Sequence, residues 1–238
     1  PQYKRQQPQG AGGSGWPAPP TGATLRPMAS PGGPARAFFD LWSLFYDQPL
    51  VQRLTYRPVH DGVVEALRSH RPHRVLDLGC GTGLLSARLR EEFPGVEVVG
   101  CDYSRGMLRE ARARSPRAPW AQGDALRLPF RGASFDAVVS TEAFHWFPDQ
   151  PAALGEVRRV LAPGGRLLVA LVNPSIEGLG EAIWWASRWV GQPFYWPTQP
   201  GMRTLLSDAG FRVEAQRRVW RIPGVLLLPA VLSIAVRV

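Results

Sequence analysis

The sequence predicts an α/β fold, a mostly parallel sheet with helices on both faces, and three observations carry it. From about residue 35 onward, short apolar runs alternate with helix-like stretches. The runs are apolar on both faces, as strands are when helices cover each side of their sheet. The first run, Arg74 to Leu78, ends in Gly79-Cys80-Gly81-Thr82-Gly83 and opens directly into a helical stretch, the pattern of a strand that turns into a helix.

Each element follows from local chemistry. Phe38, Phe39, Trp42, Phe45 and Tyr46 recur at helical spacing, and a second helix is expected from about Pro58 to Ser69. After the glycines comes a helix from Leu84 to Phe93, stopped by Pro94-Gly95. Val96 to Cys101 reads as a strand, Met107 to Arg114 as a helix, and Phe135 to Thr141 as a strand after the turn at Arg131-Gly132-Ala133. A helix from Ala152 to Leu161 is expected to end at Pro163-Gly164-Gly165, with a strand from Arg166 to Val172 beyond it. A helix from Met202 to Ala209 closes at Gly210, and the tail reads as strands over Arg212 to Arg221 and Val231 to Val238. Ligands of such sheets bind beyond the carboxyl ends of the strands, which points to the loops after Leu78, Cys101, Thr141 and Val172.

The bulk numbers bound the class. The chain has 238 residues, 45% hydrophobic and 20% charged, enough for one globular α/β domain over residues 35–238. Residues 1–34 are rich in Pro, Gly, Gln and Ala and are expected to be disordered, since they bury too little to offset their ordering entropy. The chain begins at Pro1, and Met28-Ala29-Ser30 is a candidate native start that would place residues 1–27 outside the natural product. The net charge is +9, but much of the excess lies at the two ends. It reads as an arginine-biased composition rather than a nucleic-acid footprint. Cys80 and Cys101 stand in small-residue contexts as buried hydrophobes, with no metal-ligand spacing, which suits a reducing cytoplasm. No secretory signal and no run of about twenty apolar residues is visible.

The chemistry gathers at Val75-Leu76-Asp77-Leu78-Gly79-Cys80-Gly81-Thr82-Gly83. Glycines let the backbone turn tightly and let a ligand approach it, and the helix start beyond offers free N–H groups and a partial positive charge. A dinucleotide fingerprint would need a third glycine where Leu84 stands. Asp77 would also repel a pyrophosphate, but it would attract the ammonium of an amino acid. A ligand carrying both an ammonium and a carboxylate, such as the methionyl part of S-adenosylmethionine (SAM), fits the loop. Asp102, about twenty residues on, is placed to accept from ribose hydroxyls, with a helix N-cap as its plainer role, one that Ser104 could also fill. Asp124 could accept from the exocyclic amine of adenine, or be an ordinary turn aspartate.

These stretches, with Ser134-Phe135-Asp136-Ala137-Val138-Val139-Ser140 and Val157-Arg158-Arg159-Val160-Leu161-Ala162-Pro163-Gly164-Gly165-Arg166-Leu167, resemble the class I SAM-dependent methyltransferases from about Ala35 to Val238. The opening Phe39-Asp40 through Tyr46-Asp47 resembles the ubiquinone and menaquinone biosynthesis branch. The resemblance implies a Rossmann-like sheet of seven strands, mostly parallel, with the last antiparallel and inserted beside its neighbours. It implies SAM as cofactor. Asp77, Gly79 and Gly81 would hold its methionyl end, Asp102 its ribose, and Asp124 with Ala125 its adenine. Tyr103 and Met107 would flank the adenine ring, and Tyr46 and Thr141 would lie close by.

On the acceptor side, Thr141-Glu142-Ala143-Phe144-His145-Trp146-Phe147 follows the fourth strand, where the family places substrate-facing groups. SAM is already activated, so a base matters only when the acceptor must lose a proton. His145 is the first candidate for that base, with packing against Trp146 as its structural alternative, and Glu142 is the second. Trp184, Trp185, Trp189, Phe194, Tyr195 and Trp196 could wall an apolar acceptor pocket, belong to the core, or rest on a membrane surface. The expectation is a methyltransferase acting on a small, apolar acceptor. Its rivals are a nucleotide-dependent oxidoreductase, disfavoured by Asp77 and Leu84, and a SAM-binding regulatory or scaffold protein, which would be marked by lost cofactor residues; none is missing. No Asn/Asp-Pro-Pro-Tyr signature follows the fourth strand, which lowers the case for methylating amino groups of nucleic acid.

Overall fold

Alternation of apolar residues along the central strands divides the structure into two cores, one on each face of the sheet. The computed structural model describes residues 56–172, 195–219 and 230–238. Its elements run α1 (Arg57–His70), β1 (Arg74–Leu78), α2 (Leu84–Glu92), β2 (Glu97–Asp102), α3 (Arg105–Arg114), β3 (Trp120–Gln122), β4 (Phe135–Thr141), a 3-10 turn (Phe144–Trp146), α4 (Gln150–Val160), β5 (Leu161–Val172), α5 (Gln199–Asp208), β6 (Phe211–Val219) and β7 (Ala230–Arg237). Among the described residues these strands form one sheet in the order β3-β2-β1-β4-β5-β7-β6. The strands from β3 to β5 are parallel. β7 is antiparallel and lies between β5 and β6, the inserted last strand that the resemblance implied.

Leu76, Leu78, Val99, Val138, Leu167 and Val169 point to one face and bury Leu154 and Val157 of α4 with Met202 and Leu206 of α5. Val75, Val98, Val139, Leu168 and Ala170 point to the other and bury Val63 and Leu67 of α1 with Leu85 and Leu89 of α2. Burial of such side chains contributes roughly 1.5–3 kcal/mol each. Asp136 pins the entry of β1 by accepting the N–H groups of His73 and Arg74 at 2.8 and 2.9 Å.

The structure departs from the sequence reading at three places. β3 was not expected: three residues after Pro119 are too few to show a period. The short turn at Phe144–Trp146 was not expected either. β5 starts at Leu161 rather than Arg166, because Leu161 already pairs with Phe135 and an irregularity in register carries the strand through Pro163-Gly164-Gly165. The expected tail over residues 1–34, the aromatic helix with Tyr46, and Trp184, Trp185, Trp189 and Phe194 lie outside the described residues.

Candidate functional site

The carboxyl ends of β1, β2, β3 and β4 lie side by side, and the residues singled out in the sequence sit on them. The turn after β1 is shaped by glycine. Gly79 has φ 73°, and a Cβ there would fall 2.3 Å from the Ala143 Cβ, so the turn packs directly on the segment after β4. Gly81 has φ 52°, and a Cβ there would meet nothing within 4 Å, which leaves open space over the backbone. Gly79 and Cys80 both donate their N–H groups to the Cys101 carbonyl, at 2.8 and 3.1 Å, fastening the turn to the end of β2.

Two carboxylates flank this turn. Asp102 Oδ2 accepts the Gly81 N–H at 2.9 Å, and its Oδ1 accepts the Ser104 N–H at 2.8 Å. Burial pushes its carboxyl above the usual range, and the backbone N–H groups pull it back. The N-cap of α3 is Ser104, whose Oγ accepts the Met107 N–H, so Asp102 is not committed to capping. Each carboxylate oxygen keeps a further lone pair for a ligand hydroxyl.

Asp77 lies on the face of the sheet that carries α2. It is 1% exposed and accepts the Ser86 hydroxyl at 2.6 Å. Burial pushes its carboxyl up to about 6; Ser86 and Arg90 pull it down, and Asp102 pushes it up. Two acids held above their normal range beside one turn make a place that favours a cation. Cys80 and Cys101 are buried and free, and burial raises both thiols, Cys101 to about 12, so they remain neutral.

The end of β3 is stapled to the end of β2 by the Gly123 N–H on the Asp102 carbonyl, 3.1 Å, and by Gln122 Nε2 on the Tyr103 carbonyl, 3.1 Å. Tyr103 is 52% exposed and Met107 half-buried. Asp124 is exposed and accepts the Leu126 N–H at 2.9 Å, a turn that presents buried Ala125 beside it. Glu156 accepts the Leu128 N–H, and Arg159 donates to the carbonyls of Leu128 and Phe130, which holds the rest of this loop on α4.

On the neighbouring strand, Thr141 ends β4 half-buried, and Glu142 has φ 53°, an uncommon conformation for a residue with a Cβ. Its N–H donates to the Ala170 carbonyl at 2.8 Å. His145 is buried, with its ring 4.9 Å from Trp146 and 5.5 Å from Trp196. Buried Gln150 ties the two segments together, donating to the carbonyls of Phe144 at 3.3 Å and Tyr195 at 2.9 Å. The Tyr195 N–H donates to the His145 carbonyl at 3.1 Å. Sequence reading missed Ser86 and Gln150; the signal for Ser86 was a small polar residue in the first turn after the glycines, facing β1.

Among the described residues no group of His, Cys, Asp and Glu could hold a metal ion, and no helix is long and apolar enough to cross a membrane.

Comparison with known proteins bears on this site. Residues 76–169 match the family model described as a methyltransferase domain. The chain is 48% identical over 111 residues to the demethylmenaquinone methyltransferase of Thermus thermophilus, a match covering 45% of this chain and 50% of that protein. The chain thus spans about half the length of that curated relative. It is 32% identical over 204 residues to an uncharacterized methyltransferase of Mycobacterium tuberculosis, covering 74% of this chain and 99% of that one. Among solved structures, a SAM-dependent methyltransferase of Thermotoga maritima aligns with a TM-score of 0.63 at 21% identity, over 85% of this chain and 97% of the other, a likeness of fold.

Proposed function

We propose that this chain, which belongs to the methyltransferase family, binds SAM over the turn at Gly79–Gly83 and transfers its methyl group to a small, apolar acceptor. The observation that supports it most is the pair of raised carboxylates, Asp77 and Asp102, beside a glycine turn with open space above Gly81. In this reading Asp77, Gly79 and Gly81 hold the methionyl end. Asp102 accepts from the ribose hydroxyls, and Asp124 with Ala125 meets the adenine between Tyr103 and Met107. Thr141 borders the cofactor from β4. Tyr46, outside the described residues, keeps the place by the cofactor that the family resemblance implied.

The bound sulfonium supplies an activated methyl group, so the chain's own task is to hold the acceptor in line with it and exclude water. His145, Trp146 and Trp196 offer an aromatic wall for an apolar ring or chain. His145 is the group to take a proton when the acceptor is a hydroxyl or an acidic carbon; for an acceptor that loses no proton it only lines the wall. The name of the Thermus relative makes a menaquinone precursor the first acceptor to try. No feature of the site favours an oxidoreductase or a SAM-binding protein without turnover.

Titration calorimetry tests the cofactor. SAM and its product S-adenosylhomocysteine should bind and NAD should not. Asp102→Ala should weaken SAM by roughly 1.5–3 kcal/mol, the scale of hydrogen bonds to a charged group. Labelled SAM with demethylmenaquinone tests the transfer. Tight NAD binding with silent SAM overturns the reading.

A further inference from the structure

One buried polar side chain beside the turn has no part in the reading so far. Ser86 is fully buried in the first turn of α2 and gives its hydroxyl to Asp77 Oδ2 at 2.6 Å. Helix α2 starts behind Gly83, which has no side chain to cap it. Within that first turn it is the Ser86 side chain, through its hydroxyl, that reaches the Asp77 carboxylate of β1. Packing alone would be served by alanine, which carries no hydroxyl to desolvate.

We propose that Ser86 is a positioning residue of the cofactor site: its hydroxyl orients the Asp77 carboxylate and stabilises its charge, so that the turn offers a fixed anion to the ammonium of the methionyl group. The proposal rests on the reading of this turn as a SAM site. The groups around Asp77 are few. Arg90 comes from the same helix as Ser86, and Asp102 from the end of β2. The sheet partners of Asp77 are Gly100 on β2 and Val139 on β4, neither charged. The Cys80 thiol in the turn is held neutral by burial. With the Asp77 carboxyl already raised to about 6, loss of the hydroxyl raises it further, so that the anion fades at a higher pH than in wild type.

The test is the pH dependence of S-adenosylhomocysteine binding, measured by calorimetry from pH 5 to 7.5 on the full chain. Below its own pKa of about 7.7–8.0 the ligand ammonium stays charged, so the acid limb reports the protein. Wild-type affinity should fall below about pH 6. In Ser86→Ala the same fall should begin about one pH unit higher, with affinities converging at the alkaline end. Ser86→Thr, which keeps the hydroxyl, should follow wild type. Coincident limbs in wild type and Ser86→Ala overturn the proposal. So does a loss of affinity in Ser86→Ala that is equal at every pH, since that marks a structural role. If threonine is too large for the site, the alanine variant decides alone, because it is smaller than serine. A wild-type protein that binds neither SAM nor its product at pH 7.5 overturns the cofactor reading itself, whereas binding with an unmoved limb overturns only the role of Ser86.

Discussion

At the carboxyl ends of β1, β2 and β3 the polar groups are carboxylates and backbone amides that hold one another; after β4 the side chains that meet are rings. Asp102 gathers the N–H groups of Gly81 and Ser104, and Asp77 takes the Ser86 hydroxyl, all within one strand-turn-helix unit and its neighbour. Opposite, the ring of His145 meets Trp146 beside it and Trp196 from a distant segment, with Gln150 as the tie. The first side is local and backbone-built, suited to a ligand that never changes. The second is assembled from remote side chains, which can vary without disturbing the sheet.

The largest effect is expected on the ring side, and on one parameter only. His145→Ala should lower turnover by about 10²–10⁴-fold with an acceptor that must lose a proton, while SAM affinity stays unchanged. Melting of the same variant separates chemistry from packing, because His145 is buried among aromatic rings. Full turnover with a hydroxyl acceptor would remove the base and leave His145 as wall alone.

The division also explains what the sequence disclosed. The turn at Gly79–Gly83, the place of Asp102 at the end of a strand and the alternation of strands with helices were legible, because glycine spacing and apolar runs act over a few residues; the inserted last strand came from the family resemblance. β3 was not, since Trp120–Gln122 is held by pairing with Gly100 to Asp102 and not by a period of its own. Nor was the start of β5, where pairing of Leu161 with Phe135 overrides the turn chemistry of Pro163-Gly164-Gly165. The meeting of Tyr195 and Trp196 with His145 had only an excess of aromatics as its sign, and an excess does not say what it faces.

The two sides touch at Gly79 and Ala143, and the second prediction is aimed there. Gly79→Ala places a Cβ 2.3 Å from that of Ala143 at φ 73°. The left-handed conformation costs about 1–2 kcal/mol and overpacking about 1–3 kcal/mol, so a combined loss of roughly 2–5 kcal/mol is expected, shared between melting and SAM affinity. Adding Ala143→Gly removes the clash and leaves only the backbone term, so the double variant should recover about half or more of the loss. Equal defects in single and double variants would show that the two sides do not bear on each other through this contact.

The smallest effect is the most diagnostic, because it runs against the usual direction of mutation. Asp77 has a folded value of about 6 against an ordinary 3.8, so the folded chain holds this proton more tightly than the unfolded one. The ionised carboxylate therefore destabilises the ligand-free fold above about pH 6, and that cost fades as the pH falls through 6 toward 4. About two units correspond to at most about 3 kcal/mol. Asparagine removes the charge but also weakens the bond from the Ser86 hydroxyl by about 1 kcal/mol, so Asp77→Asn should stabilise the ligand-free protein by about 1–2 kcal/mol at pH 7.5 and by nothing, or less than nothing, at pH 4.5. Scanning calorimetry at the two pH values reads this as a rise of roughly 2–8 °C that disappears in acid. In the proposed site the same variant should gain less from added SAM than wild type does, since the turn no longer carries the buried charge that attracts the ligand's ammonium. A carboxylate that strains the empty site and is relieved by its ligand belongs to binding rather than to the core. Equal destabilisation of Asp77→Asn at both pH values would instead make Asp77 a structural acceptor for Ser86, and in the proposed site the ligand would then be held through Asp102 and the turn alone.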